Sequence, residues 1–196
     1  MSRGRWTRQI ILLETELRIS TPARLGVLSD THALTARSSV TMECVYAFFR
    51  RAQVDLILHA GDAGGAAVLS ALRQIAAVAV VRGNADPLDL IDTLPDRVRI
   101  EIGSQTLLLL HGHHGKTALA TARAAASPEI DVIVFGHSHR PLIEKKNGTL
   151  LFNPGSPTER RWNPHFGIGL IAVSDEGIAP DLILFDDPRH LVNVTP

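Results

Sequence analysis

Five short polar clusters in the chain contain the residue types that bind metal ions. In chain order they are Asp30-Thr31-His32, Gly61-Asp62, Gly83-Asn84, His111-Gly112-His113 and Gly136-His137-Ser138-His139. Each cluster follows a short apolar run. Two histidines at positions i and i+2 of an extended segment point to the same side. Because a neutral imidazole is the commonest metal ligand in proteins, the clusters predict a metal site.

The clusters supply two carboxylates, one amide oxygen and four imidazoles as candidate ligands. These are Asp30, His32, Asp62, Asn84, His111, His137 and His139. A tetrahedral zinc ion takes only four ligands. Seven donors therefore suit two cations, about 3.5–4 Å apart, that share one carboxylate. Nitrogen and oxygen donors without a thiolate fit Mn, Fe, Co, Ni or Zn better than Cu(I) or Ca.

The charge balance of such a centre predicts the substrate it attracts. Two divalent cations bring four positive charges, and the two aspartates return two negative ones. The centre stays cationic and attracts an anionic phosphoryl group. Coordination lowers the pKa of water to about 7, so a hydroxide that bridges both ions is the expected nucleophile.

Each cluster also has a purely structural interpretation. Asp-x-His can be a turn closed by the aspartate side chain. Gly-Asp and Gly-Asn are common turn dipeptides. The metal site is favoured over the turn interpretation only because all five clusters occur together and each directly follows an apolar run. A different metalloenzyme, such as a zinc hydrolase of amides, has the same donor types and is a further alternative.

The apolar runs predict the elements that position the clusters. Strands are predicted at 25–29, 56–59, 77–81, 98–102, 106–110, 132–135, 142–145, 149–153, 168–173 and 182–185. Helices are predicted from Ser39 or Thr41 to about 51, at 66–74 and at 116–126. Strand–helix alternation in the first half implies parallel strands with crossover helices. Turn signals at Gly103-Ser104 and Asn147-Gly148 imply hairpins in the second half. We therefore expect an α/β fold of two stacked mixed sheets with helices outside.

Bulk properties bound the remaining possibilities. A chain of 196 residues with zero formal net charge suits one domain and has no basic field for nucleic acid or an anionic membrane. A lone cysteine, Cys44, cannot form an internal disulfide. No apolar run reaches the about 20 residues of a membrane span, and the start is a poor secretory signal. We expect a cytoplasmic protein with a poorly ordered lead-in at 1–22 and one domain at 23–196. The oligomeric state is not predicted.

Taken in order, the motifs GVLSDTH, HAGD, GNAD, HGH, GHSHRP and NPGS resemble those of the calcineurin-like metallophosphoesterases. Their spelling is similar to the small bacterial and archaeal phosphodiesterase branch, which also includes eukaryotic Vps29. The similarity extends from about residue 24 to residue 184. It implies a four-layer α-β-β-α sandwich of two mixed sheets flanked by helices.

The resemblance also implies a role for each ligand. Asp30, His32 and His139 would hold one ion, Asn84, His111 and His137 the other, and Asp62 would bridge them. Asn84 would also contact the substrate phosphate. The implied cofactors are two divalent ions, with Mn expected first and Ni, Co, Fe or Zn as alternatives. The implied substrate is a small phosphate ester or nucleotide-like compound, a diester more than a monoester.

One position departs from the family pattern. The larger enzymes carry a histidine directly after the Gly-Asn asparagine, where it protonates the leaving group, and the small branch often has cysteine there. This chain has Ala85. His113 is the candidate substitute, with a supporting or surface role as the alternative. Loss of a general acid costs about 10²–10⁴-fold in rate, so we expect weak activity on unactivated esters. Ala85 also keeps a second hypothesis open, a Vps29-like metal-binding scaffold for protein interactions with little or no catalysis.

Overall fold

A computed structural model of the chain describes residues 14–33 and 35–196. In chain order the elements are β1 (Glu14–Ile19), β2 (Ala23–Leu28), α1 (Ala36–Ala52), β3 (Leu56–His59), α2 (Ala66–Arg73), β4 (Ala77–Val80), α3 (Leu88–Ile91), β5 (Arg97–Ile102), β6 (Gln105–Leu110), α4 (Ala118–Ala125), β7 (Val132–Val134), β8 (Leu142–Lys146), β9 (Thr149–Asn153), β10 (Phe166–Ser174), β11 (Gly177–Phe185) and a 3-10 helix (Pro188–Val192). None of the helices in the described ranges is long and apolar enough to cross a membrane.

The strands form two mixed sheets. One has the order β1-β5-β6-β7-β9-β8, and the other has the order β11-β10-β2-β3-β4. In the five-stranded sheet β2, β3 and β4 are parallel, and β10 runs antiparallel to both β2 and β11. In the six-stranded sheet β6, β7 and β9 are parallel, β5 is antiparallel to β6 and parallel to β1, and β8 is antiparallel to β9. The predicted pair of mixed sheets is confirmed.

Three apolar clusters separate four layers. One packs α1 and α2 on the five-stranded sheet, one lies between the two sheets, and one packs α4 on the six-stranded sheet. Along β6 the faces alternate, because Leu107 and Leu109 face the other sheet while Leu108 and Leu110 face α4. Both faces of this strand are buried, which is why it reads as a continuous apolar run. The structure is the predicted α-β-β-α sandwich.

Helix α1 begins earlier than the sequence analysis predicted. Thr35 is its N-cap, and the Thr35 hydroxyl accepts the backbone N–H of Ser38 at 3.1 Å. The Ser38 hydroxyl in turn accepts the backbone N–H of Thr35 at 2.9 Å. This reciprocal capping box satisfies two donors at the helix start, so it selects Thr35 over the predicted Ser39 or Thr41.

Strand β1 lies within the segment 1–22 that was predicted to be poorly ordered. It pairs in parallel with β5, from Glu14 beside Arg97 to Ile19 beside Ile102. Leu17 and Ile19 pack against the cluster between the sheets, so residues 14–19 are ordered by burial and strand pairing. Residues 1–13 lie outside the described residues. The predicted domain boundary at residue 22 stays a prediction.

Gly169, in the middle of β10, has no side chain, and the ring of Phe152 occupies the space next to it. Phe152 is fully buried, and a Cβ atom at Gly169 would lie 2.5 Å from its ring carbons and 3.2 Å from the Cβ of Val27. Even one added methyl group overfills this part of the core, because the ring cannot move out into solvent.

We predict that Gly169→Ala lowers the free energy of unfolding by about 1–3 kcal/mol, the usual cost of overpacking. Urea unfolding followed by circular dichroism measures the change. Ala172→Val, at an exposed position of the same strand, is the control and should shift stability by less than about 0.5 kcal/mol. Equal stability of Gly169→Ala and the wild type would contradict the close contact with Phe152.

Candidate metal centre

Six of the seven predicted ligands converge in two groups. The first triad is Asp30, His32 and His139, and the second triad is Asp62, His111 and His137. Within each triad one potential ligand atom from every residue lies within 4.8 Å of the others. Asn84 joins the second triad, with its Oδ1 atom 3.3 Å from Nε2 of His111. All seven residues follow β2, β3, β4, β6 or β7, at the carboxyl ends of strands where α/β sheets carry their sites.

The Asp62 carboxylate, a member of the second triad, also lies close to the first triad. Its Oδ2 atom is 3.3 Å from Nε2 of His111 and 3.7 Å from Nε2 of His32 in the first triad. Its Oδ1 atom accepts the backbone N–H of Ala85 at 2.7 Å. The carboxylate is thus oriented by the loop after β4 and reaches members of both triads.

Three buried polar atoms of the first triad lack a hydrogen-bond partner among the described residues. They are Oδ1 of Asp30, Nε2 of His32 and Nε2 of His139. A buried polar atom without a partner costs about 1–3 kcal/mol, so three in one place call for a ligand. One carboxylate oxygen and two imidazole nitrogens are a donor set that a divalent transition metal accepts. These residues therefore fit a divalent cation.

Backbone carbonyls fix the tautomer of two of the histidines. Nδ1 of His139 lies 2.5 Å from the carbonyl oxygen of Glu159, and Nδ1 of His111 lies 2.6 Å from that of Ala60. Since a carbonyl oxygen only accepts, each Nδ1 carries a hydrogen, and in a neutral ring Nε2 then keeps its lone pair. For His111 in the metal-free protein, burial acts to lower the pKa, but the hydrogen bond to Asp62 and the charges of Asp30 and Asp62 outweigh it and raise the pKa, which favours a second hydrogen on Nε2 that a cation would replace. Burial lowers the pKa of His139 to about 4, so its ring is neutral. Neutral imidazoles with Nδ1 held by a carbonyl are typical of metal ligands.

The two aspartates differ in their electrostatics. Burial raises the pKa of Asp30 to about 6 in the metal-free protein, although the charge of His111 and the Ser29 hydroxyl act to lower it. Burial also acts upward on Asp62. There the hydrogen bond and charge of His111 and the N–H of Ala85 outweigh burial and hold the pKa of Asp62 at about 2. Asp62 is therefore ionised in the metal-free protein at neutral pH.

Five of the candidate ligands have left-handed backbone conformations. Their φ values are 54° for Asp30, 37° for His32, 55° for Asp62, 66° for His137 and 55° for His139. Positive φ is uncommon for residues other than glycine, and each instance costs about 1–3 kcal/mol. Such strain concentrates at functional sites. Here the sharp turn directly after a strand directs the side chain towards the site.

Glycines next to the ligands make the close approach possible. A Cβ atom at Gly136 would lie 1.7 Å from the Ser29 hydroxyl, which donates to Asp30 Oδ2 at 2.6 Å. A Cβ atom at Gly83 would lie 2.0 Å from Oδ1 of Asp62. Any larger residue at these two positions would displace the carboxylates.

Asp86 connects two site loops, a role that the sequence analysis did not assign. Its carboxylate is buried and accepts the backbone N–H groups of Gly83 at 2.7 Å, Asp62 at 3.1 Å and Gly64 at 3.2 Å. The loop after β3 and the loop after β4 are thereby held at a fixed separation. An aspartate three residues after a glycine, inside a turn, is the local signal that could have indicated this role.

Three more residues form hydrogen bonds to the loop after β2, which carries Asp30 and His32. The Ser156 hydroxyl donates to the carbonyl oxygen of Asp30 at 2.7 Å, and the Thr158 hydroxyl donates to that of Thr31 at 2.5 Å. The buried His59 ring contacts the Thr31 hydroxyl through Nε2 at 3.0 Å, and burial lowers the pKa of His59 to about 4. These contacts join positions far apart along the chain, so the motifs HAGD and NPGS, which contain His59 and Ser156, do not by themselves reveal them.

The predicted general acid, His113, lies beside the second triad. Its ring centroid is 5.2 Å from that of His111, 6.4 Å from that of His137 and 3.9 Å from that of His114. Burial, followed by the charges of its three histidine neighbours, lowers the pKa of His113 to about 4 in the metal-free protein. The residue is thus close to the site, and its catalytic role stays a prediction.

Replacement of Asp86 by alanine should weaken both the fold and the site. We predict that Asp86→Ala lowers the free energy of unfolding by about 3 kcal/mol or more, because it leaves three buried N–H groups unpaired. Mn²⁺ affinity should fall by about 10–100-fold, the usual effect of losing a group that orients a ligand. Urea unfolding and titration calorimetry measure these changes. The control is Asp92→Ala, an exposed carboxylate nearby, and equal behaviour of the two variants would contradict the role of Asp86.

Comparison with known proteins gives concordant results. Residues 24–176 match the calcineurin-like phosphoesterase superfamily domain. A probable metallophosphoesterase from Methanothermobacter thermautotrophicus is 38% identical over 139 residues, which cover 70% of this chain and 78% of that protein. The phosphodiesterase YfcE of Escherichia coli K12 is 31% identical over 128 residues, which cover 58% of this chain and 67% of that protein.

The fold is also similar to that of a solved structure. Wild-type Vps29 from Entamoeba histolytica, in complex with Zn²⁺, superposes with a TM-score of 0.60 at 22% sequence identity, over 83% of this chain and 99% of that chain. The resemblance drawn from the motifs is confirmed. Because the family domain spans most of the sequence and a curated relative exceeds one-third identity, the chain belongs to the calcineurin-like phosphoesterase superfamily, whose enzymes hydrolyse phosphoric esters.

Proposed function

We propose that the protein is a phosphodiesterase that uses two divalent cations. Asp30, His32 and His139 would hold one ion, Asn84, His111 and His137 would hold the other, and Asp62, which lies near histidines of both groups, would be shared between them. The observation that carries the proposal is the convergence of three buried, unpartnered ligand atoms in the first triad, directly beside the Asp62 carboxylate. Bound cations would polarise the phosphoryl group and supply a hydroxide nucleophile at neutral pH.

The protein residues orient the substrate at this centre. Asn84 is exposed, and its Oδ1 atom faces His111, which leaves the amide N–H groups free to contact a phosphate oxygen. The backbone N–H of Ala85 donates to Oδ1 of Asp62 at 2.7 Å, which stabilises the negative charge of this carboxylate. With two divalent ions the site would retain net positive charge, which favours an anionic ester over a neutral one.

The substrate and metal follow from the donor types and from the relatives. YfcE, a relative at 31% identity, is a phosphodiesterase, which supports diesters over monoesters here. Nitrogen and oxygen donors favour Mn²⁺, with Ni²⁺, Co²⁺, Fe²⁺ and Zn²⁺ as alternatives. The Zn²⁺ complex of the Vps29 neighbour is consistent with a divalent ion on this fold. A small phosphate diester or nucleotide-like compound is the proposed substrate.

The first test removes the bridging carboxylate. We predict that the protein loaded with Mn²⁺ hydrolyses bis(p-nitrophenyl) phosphate and that Asp62→Ala loses more than about 100-fold in kcat/KM, because one ligand reaches both triads. Release of nitrophenolate is followed by absorbance. The control is Asp181→Asn, which changes an exposed carboxylate on β11 and should keep the wild-type rate. Undiminished hydrolysis by Asp62→Ala would refute the two-cation site.

The second test concerns the missing acid at position 85. Ala85 is exposed and its backbone N–H is fixed on Asp62, so a histidine side chain can be added without changing that bond. We predict that Ala85→His accelerates hydrolysis of an alkyl phosphodiester by about 10²-fold and leaves the nitrophenyl diester nearly unchanged, since only the alkoxide needs a proton.

Ala85→Gln is the matched control, because glutamine has similar size and cannot transfer a proton. One other result would identify His113 as the general acid. If the wild type cleaves the alkyl diester as fast as Ala85→His does, and His113→Ala abolishes that rate, then His113 is the acid. The rates with both ester types are measured side by side by phosphorus NMR.

A metal-binding scaffold is the second candidate function, and Ala85 is the residue that favours it. A scaffold of the Vps29 kind would keep the cations for shape and would not turn over substrate. Assays with excess Mn²⁺, Ni²⁺ or Co²⁺ separate the two functions. Turnover that is lost in Asp62→Ala supports the enzyme, whereas bound metal without turnover of any activated ester supports the scaffold.

A further inference from the structure

The turn at residues 159–163 is attached to His139 on two sides. The carbonyl oxygen of Glu159 accepts the hydrogen of His139 Nδ1 at 2.5 Å, and the side-chain amide of Asn163 donates to the His139 carbonyl oxygen at 2.8 Å. The backbone N–H of Asn163 also donates to the carbonyl oxygen of Arg160 at 2.9 Å, which closes the turn. The turn therefore has a fixed place beside the first triad.

Arg161 occupies the middle of this turn in an unfavourable backbone conformation. Its φ is 51°, in the left-handed region that glycine and asparagine adopt more readily. The side chain is exposed. The chain thus carries a long cationic side chain at a position where the backbone alone would favour a smaller residue.

The two adjacent arginines of the turn differ in their contacts. Arg160 donates to the carbonyl oxygen of Pro164 at 2.7 Å, and its guanidinium carbon lies 5.4 Å from the centre of the Phe166 ring. Arg160 is therefore used within its own loop. The guanidinium of Arg161 forms no hydrogen bond or ion pair with the side chains that the structure describes, those of residues 16–33, 35 and 38–196.

The charge of Arg161 nevertheless reaches both triads. Burial is the main cause that lowers the pKa of His139 in the first triad and of His137 in the second, and the positive charge of Arg161 adds to it in both cases. The geometry that places this charge is the turn itself, which two hydrogen bonds attach to His139, so the exposed guanidinium next to it is available to an anion bound at the first triad.

We infer that Arg161 binds the non-bridging oxygens of the substrate phosphoryl group. The inference rests on the proposed function and adds a specific substrate-binding residue to it. A guanidinium fits because its planar fork of N–H donors matches two phosphate oxygens at once. The double attachment of the turn to His139 sets the position of the fork relative to the ligands. Arg161 thereby favours phosphoryl groups with at least two unesterified oxygens, so it discriminates against neutral triesters.

The test removes the guanidinium and keeps the backbone. Arg161→Gly and Arg161→Asn both suit a positive φ, so the turn should keep its shape. With Mn²⁺-loaded protein we expect KM for bis(p-nitrophenyl) phosphate and the inhibition constant of inorganic phosphate to rise together by at least about tenfold, the usual loss for a charged hydrogen bond. We expect kcat to stay within about twofold. Arg160→Gln is the matched control and should keep wild-type values.

Three results would overturn the inference. The first is unchanged KM and phosphate inhibition in both Arg161 variants. The second is an equal rise in Arg160→Gln, which would mean that only the net charge of the loop matters. The third is loss of bound Mn²⁺ in Arg161→Gly, measured by elemental analysis, which would mean that Arg161 only supports His139.

The failure of this inference can be told apart from failure of the proposed function. If the wild type hydrolyses no diester, the proposed function fails. Titration calorimetry of inorganic phosphate with the Mn²⁺-loaded wild type and Arg161→Gly still decides the role of Arg161 in that case. Weaker phosphate binding by the variant alone supports the inference, and equal binding rejects it.

Discussion

The site depends on the burial of ligand atoms that form no hydrogen bond with any other described residue. Oδ1 of Asp30 and Nε2 of His32 and His139 lie together, and none of them has a hydrogen-bond partner in the part of the chain that the structure describes. Such an arrangement opposes folding unless a cation is bound, because each unpaired atom has lost its water. The surrounding structure must therefore hold these side chains in place against their tendency to separate. Backbone turns, carbonyl contacts to the imidazole rings and a buried carboxylate serve that requirement.

Several independent restraints hold the ligand side chains in place. Left-handed turns directly after the strands direct the ligands inwards, and their conformational cost is borne by the buried sheets behind them. Carbonyl oxygens hold the rings of His111 and His139. The Asp86 carboxylate holds two loops through three backbone N–H groups. Because these restraints come from different parts of the chain, the geometry does not depend on any single loop.

The sequence predicts the donors and the buried strands well, since both are local signals. A polar cluster after an apolar run identifies Asp30 or His137 without knowledge of the fold, and alternating burial explains β6. The start of α1 was missed because three hydroxyl residues compete for the cap, and only the reciprocal bonds select Thr35. The role of Asp86 and the conformation of Arg161 were missed for a different reason. They arise from hydrogen bonds between distant segments and from backbone torsion, which residue types do not specify.

Each triad draws its residues from both sheets. Asp30, His32 and Asp62 follow strands of the five-stranded sheet, whereas His111, His137 and His139 follow strands of the six-stranded sheet. A cation bound in either triad would therefore cross-link the two sheets of the sandwich. Ion binding and cohesion of the sheets become thermodynamically linked, and resistance to heat should track the supply of free divalent ion in the surroundings.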